Sequence, residues 1–260
     1  MKLRLVSDIH LELSNHISET IGQLSSQIIT DNIEDVLILA GDIGDPFSES
    51  YKDFLARMSH HFNKIFIVSG NHEYYKTTVS TMKEIDDKIR EVTESFNNVH
   101  FLQRDSIIYN RVRFLGCTLW SRVKNSSNCV YMNDFTLIPE MTFNMYRSLH
   151  TNDVKWLKGE LNKTGDFDST VVVTHHLPSY KLINHKYEGN LMNEFFASDL
   201  DYLVKKASIW CCGHTHSANK IVIGECHCYV NPVGYSGEIT NFQPKLCIDI
   251  LKSLCDVEYI

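Results

Sequence analysis

Asp35-Val-Leu-Ile-Leu-Ala-Gly-Asp42 and Lys64-Ile-Phe-Ile-Val-Ser-Gly-Asn-His-Glu73 share one pattern. Each is a short Leu/Ile/Val/Phe-rich run of strand length that stops at glycine and polar side chains. Residues 2–7 repeat the pattern and end in Asp8-Ile9-His10. Helical periodicity separates the runs at residues 17–29, 48–62 and 77–96, the last with Val79, Met82, Ile85, Ile89 and Val92 on one stripe. Strands alternating with helices imply a largely parallel sheet.

Further along, close-spaced runs at 99–102, 106–109 and 111–119 predict hairpins. Residues 120–146 carry two Asn/Ser clusters and several aromatics, the mark of a lid or substrate-binding insertion. Then come a helix at 148–162, a strand at 170–174, a helix at 192–206 and a strand at 209–212. Strands at 221–223, 227–230, 245–250 and 256–259 close the chain. With no repeat, linker or low-complexity tract, residues 1–260 read as one domain.

The chain has 260 residues, 43% hydrophobic and 22% charged, enough for a core that needs no metal staple. Any metal is therefore expected to be catalytic. The net charge is −7 and the pI near 6.0, and no basic block stands out along the chain. Charge thus gives no indication of a nucleic-acid partner, though it leaves a local basic groove open. The start MKLRLVSDIH lacks the apolar stretch of a signal peptide, and no run reaches membrane-spanning length. The eight cysteines fall mostly in apolar runs, which predicts a reducing, cytoplasmic setting with no membrane association. Cys226-His227-Cys228 lacks paired zinc-ligand spacing and reads as strand alternation.

Five polar clusters sit at ends of strand-like runs: Asp8-Ile9-His10, Gly41-Asp42, Gly70-Asn71-His72, His175-His176 and Gly213-His214-Thr215-His216. In open α/β sheets ligands gather beyond the carboxyl ends of the strands. Asp-x-His and His-x-His place two donors on one face of an extended segment. Mixed carboxylate, amide and imidazole donors suit two divalent cations, Mn²⁺ first, with Fe, Zn or Co as alternatives. Either His175 or His176 can serve as the fourth cluster's donor, His175 being favoured as the first residue past the apolar run.

These clusters, in this order, resemble the calcineurin-like metallophosphoesterase superfamily, whose motifs run D-x-H, G-D, G-N-H-[DE], H and G-H-x-H. The resemblance covers residues 8–216. It implies a four-layer αββα sandwich of two mixed β-sheets flanked by helices, with a dimetal site at the strand C-terminal ends. It implies Asp8, His10 and His216 on one metal, Asn71, His175 and His214 on the other, and Asp42 bridging. His72 would then be the catalytic acid for the leaving oxygen. Glu73, His176, Tyr74, Asn133, Asp134 and Tyr235 would lie behind the ligands or face substrate, and the aromatics Tyr75, Tyr131 and Phe135 either face the cleft or, as the favoured reading, only pack the insertion onto the sheet.

The implied reaction is hydrolysis of a phosphate monoester or diester by a hydroxide bridging the metals, on a small phosphorylated substrate or nucleotide. Gly41-Asp42-Ile43-Gly44-Asp45-Pro46 lacks the arginine of the protein-phosphatase motif, and Asp8 stands where RNA-debranching enzymes usually carry cysteine. A nuclease of the same superfamily is the alternative, and would need Lys/Arg clustered on one face. A non-catalytic scaffold with this fold would have lost ligands, and every expected position is filled.

Overall fold

In the computed structural model, which describes residues 1–29, 36–75 and 81–250, the three N-terminal runs become β1 (Lys2–Val6), β2 (Val36–Ala40) and β3 (Lys64–Val68). They lie parallel, and β4 (Val99–Phe101) continues the sheet beyond β3. A C-terminal strand, β11 (Cys247–Asp249), pairs antiparallel with β1 at the other edge. The second sheet is built from β5 (Asp105–Tyr109), β6 (Val112–Cys117), β7 (Ser169–Thr174), β8 (Ile209–Cys212), β9 (Asn219–Ile223) and β10 (Cys226–Val230). Its order is β5-β6-β7-β8-β10-β9, with parallel strands in the middle and an antiparallel hairpin at each edge.

β2 and β8 are apolar throughout, and β3 and β7 through their middles, because both of their faces are covered. Successive side chains point to opposite faces, so β2 and β3 send Leu37, Leu39, Ile65 and Ile67 outward against α1 (Ile17–Ile28), α2 (Glu49–Ser59) and α3 (Met82–Glu94). Their alternate residues Val36, Ile38, Ala40, Phe66 and Val68 meet Phe114, Val171, Val173, Ile209 and Cys211 of the second sheet. The far face of that sheet carries Leu115, Val172, Trp210 and Cys228 under Leu157 of α5 (Phe143–Glu160) and Leu203 and Val204 of α6 (Asp201–Val204). This is the expected αββα order of layers. Cys226 and Cys228 alternate with His227 on β10, both cysteines buried in the outer apolar cluster.

Several elements differ from expectation. The long helix starts at Phe143 rather than 148, because Thr142 caps it by accepting from the Met145 N–H. The helix expected at 192–206 breaks into a 3₁₀ turn, Leu191–Phe195, and α6. Between them Leu177 donates to the Phe196 carbonyl and accepts from the Ser198 N–H, so strand-like pairing overrides helical periodicity. Residues 120–146 are less irregular than expected, holding a 3₁₀ segment, Ser126–Tyr131, and α4 (Asp134–Leu137). The strand expected at 256–259 lies outside the described residues.

Candidate active site

Five strand ends converge where the two sheets meet. The turn after β1 is tied to the turn after β2 by bonds from the Asp8 and His10 N–H groups to the Gly41 and Asp42 carbonyls. The end of β8 is tied to that of β7 by the Gly213 N–H donating to the His175 carbonyl. Approach is so close that a Cβ on Gly70 would sit 2.1 Å from Asp42 Oδ1, and one on Gly213 would sit 2.7 Å from Asp8 Oδ2. Asp8, His10, Asp42, His214 and His216 all adopt left-handed backbone, with φ of 54°, 53°, 55°, 72° and 45°. Such conformations cost on the order of 1–3 kcal/mol each and persist where surrounding structure over-determines them, typically at ligand sites.

Glu73 supplies much of that determination. Its buried carboxylate accepts from the N–H groups of Asp42 at 3.0 Å, Ile43 at 2.7 Å and Gly70 at 2.7 Å, clamping the turn after β2 to the turn after β3. Burial and the neighbouring Asp42 carboxylate push its pKa up, while the three donors favour the charged form.

The donors fall into overlapping groups: Asp8, His10 and His216; His10, Asp42 and His72; Asp42, His175 and His214. Their contacts fit cations. His10 Nε2 and His216 Nε2 face each other at 3.0 Å. The opposite ring nitrogens lie against carboxylates, His10 Nδ1 3.0 Å from Glu12 Oε1 and His216 Nδ1 2.7 Å from Glu238 Oε2. When each ring carries its proton toward its carboxylate, two lone pairs are left pointing at one another. Only a cation or an extra proton relieves that arrangement.

The group of Asp42, His175 and His214 repeats the logic. His175 Nδ1 donates to the Ala40 carbonyl at 2.8 Å, so its Nε2 lone pair meets Asn71 Oδ1 at 3.1 Å, His214 Nδ1 at 3.1 Å and Asp42 Oδ2 at 3.2 Å. Although burial opposes charge, the Asp42 carboxylate pushes His175 up to about 10 and hydrogen bonding to Asp8 lifts His216 to about 9. A proton is thus held where a cation fits. The Asn71 amide is oriented by donating to Asp134 Oδ1 at 2.9 Å and to the Tyr75 hydroxyl at 2.8 Å, which turns its oxygen toward His175.

His176 joins neither donor group. Its ring is buried beside His214, 4.1 Å between centroids, and burial holds its pKa well below the usual range. His72 presents Nε2 to the cleft, 3.3 Å from the Tyr235 hydroxyl, with Nδ1 3.1 Å from the same Glu12 oxygen that meets His10. Burial disfavours its charged form, but Asp42 and Glu12 outweigh it and raise the pKa.

The cleft above these groups has a volume of about 460 Å³. Tyr75, Tyr131, Asn133 and Tyr235 line it. Tyr74 does not. It is fully buried, donating to Asp86 at 2.7 Å and bonded to the Ser69 hydroxyl. The 3₁₀ turn His72–Tyr74 ends before Tyr75, whose extended backbone carries it to the cleft while Tyr74 packs inward. Phe135 likewise packs inward, stacked on Tyr146. Asp134 is buried and reaches Asn71 rather than the open cleft. Two participants escaped the sequence reading. Glu12 had a signal, standing two residues past His10. Glu238, 22 residues from its partner His216, had only the likeness of residues 231–238 to a loop of some superfamily members, which reads equally as a plain turn.

A family model of calcineurin-like phosphoesterases matches residues 1–218. An uncharacterised protein of Acanthamoeba polyphaga mimivirus is 33% identical over 276 residues, covering 98% of each chain. Among solved structures, phosphopantetheinyl hydrolase from Mycobacterium tuberculosis is similar with TM-score 0.71 and 16% identity, over 90% of this chain and 89% of that one. The anchor in the inner membrane complex of Plasmodium is also similar, with TM-score 0.50 and 10% identity over 94% and 76%. Likeness at such identities concerns the fold alone. No helix among the described residues is long and apolar enough to cross a membrane. With the family match running through all five clusters, the chain belongs to the calcineurin-like phosphoesterases, metal-dependent hydrolases of phosphoester bonds.

Proposed function

We propose that this chain hydrolyses a phosphate monoester or diester at two divalent cations, with Asp8, His10 and His216 on one, Asn71, His175 and His214 on the other, and Asp42 shared. One observation carries the assignment: Asp42 Oδ2 lies 3.2 Å from His175 Nε2 and 3.8 Å from His10 Nε2, and so belongs to both donor groups. Bound there, the cations would neutralise phosphoryl oxygens and bring the pKa of water toward neutrality. Nitrogen and oxygen donors without thiolate suit Mn²⁺, Fe, Zn or Co.

The chain's own groups do the rest. Glu12 and Glu238 hold His10 and His216 by their Nδ1 atoms, so that both present Nε2 inward. Asp134 holds the Asn71 amide in its donating orientation. His72, kept in the cleft by Glu12 and a backbone bond to Asp42 Oδ1 at 2.8 Å, gives a proton to the departing alcohol oxygen. Tyr131, Met132 and Asn133 of the insertion contact the leaving group and choose the substrate.

EDTA-stripped protein should be inactive on p-nitrophenyl and bis(p-nitrophenyl) phosphate and regain activity with Mn²⁺. Full activity without metal, or a fully active Asp42→Ala variant, would sink the proposal.

A further inference from the structure

A second concavity, of about 660 Å³, lies apart from the donor clusters and is lined by Arg122, Lys124, Arg147, Lys155 and Lys158, with Asp199 the one carboxylate among the described lining residues. Five cations in one hollow are unexpected in a chain of net charge −7. All five are exposed, and among the described residues none enters an ion pair, whereas Lys83, Lys88, Arg104, Arg111, Lys163 and Lys181 all do. Unpaired like charges repel across the hollow and favour an anionic occupant.

The cations form a track rather than a point. Arg147, Lys155 and Lys158 stand at i, i+8 and i+11 on α5, with Thr151 between them in the same lining. At 1.5 Å per residue this face runs about 16 Å, longer than one phosphate group needs. Arg122 and Lys124 come from the insertion. Tyr180 and Tyr202, exposed by 38% and 52%, complete the wall and are of the residue type on which bases stack.

Its position links it to chemistry. Residues 120–133 supply Arg122 and Lys124 to the track and Tyr131, Met132 and Asn133 to the catalytic cleft. Residues 180–200 likewise supply Tyr180, Ser198 and Leu200 to one and Asn184, Asn193 and Phe196 to the other. We infer that the track binds the sugar-phosphate backbone of a single-stranded nucleic acid whose end or internal phosphodiester enters the cleft. The inference rests on the phosphoesterase reading for the fate of the strand, and on the track alone for its binding.

The test is fluorescence anisotropy of the full chain, in EDTA, with a labelled oligouridylate of about 15 nucleotides across a range of KCl concentrations. The triple variant Arg147→Glu, Lys155→Glu, Lys158→Glu should bind at least tenfold more weakly. Its log–log salt dependence should flatten by about 2, since each phosphate contact on a single strand contributes about 0.7. Its Mn²⁺-dependent hydrolysis of bis(p-nitrophenyl) phosphate should be unchanged. Lys155→Gln with Lys158→Gln gives a milder second variant with a smaller loss in the same direction. A wild type that fails to bind, variants that bind as tightly as wild type, or equal affinity for tripolyphosphate would overturn the track. Wild type that binds the strand but hydrolyses no ester would support the track and refute the reaction.

Discussion

Glu73→Gln isolates the clamp beneath the metal-binding turns. The carboxylate holds two donors on Oε2, from Gly70 and Asp42, and one on Oε1, from Ile43. An isosteric amide can keep its oxygen where two donors converge, but its NH₂ then opposes the Ile43 N–H. A buried N–H left without an acceptor costs about 1–3 kcal/mol, and the two surviving bonds weaken as their acceptor loses its charge. Relief from burying a charge offsets part of this, leaving a net loss of about 2 kcal/mol. For a chain of this size that lowers Tm by about 4–8 °C. The displaced turns carry Asp42 and Asn71, so metal affinity should fall about 10–100-fold, the usual effect of removing a group behind a ligand. Scanning calorimetry of stripped protein and Mn²⁺ titration read the two effects separately. Unchanged Tm together with unchanged metal affinity would refute the clamp.

Other perturbations probe separate parts of the account. His72→Ala should lower kcat by about 10²–10⁴ with bound metal retained; loss of metal would make His72 a ligand instead. Asp134→Ala frees the Asn71 amide, so activity should need roughly 10–100-fold more Mn²⁺ and recover at saturation, as a metal titration of activity would show. Burial pushes Asp86, the acceptor of the Tyr74 hydroxyl, up to about 6. The folded chain therefore holds that proton more tightly than the unfolded one. Its contribution to stability grows as pH falls from about 7 toward 4, by up to about 3 kcal/mol at about 1.4 kcal/mol per pH unit. Asp86→Asn should remove that part of the slope in denaturation curves taken at several pH values. An unaltered slope would contradict the shift.

The fold and the donor groups were legible because both are written locally. A strand buried on both faces is a continuous apolar run, and its functional residues follow it within a few positions, as with Val36–Ala40 before Gly41-Asp42. What depends on long-range pairing left no such trace. The segment after Met192 has helical spacing, yet Leu177 draws it into a strand-like bridge at Ala197. Tyr74 and Tyr75 look alike in sequence, and only the end of the 3₁₀ turn separates the buried ring from the half-buried one that lines the cleft. The basic track was hidden by dilution. Arg122, Lys124, Arg147, Lys155 and Lys158 are spread over nearly forty positions among acidic and neutral neighbours, and α5 and the insertion bring them to one wall. Clustered Lys/Arg on one face was the feature the nuclease alternative required.

A pair of cations sharing Asp42 fixes the metal stoichiometry. Calorimetric titration of Mn²⁺ into EDTA-stripped protein should give two equivalents per chain. His216→Ala should lose one of them, and Asp42→Ala should weaken both. A single equivalent in the wild type, or an Asp42→Ala variant that still binds two with unchanged affinity, would contradict the account.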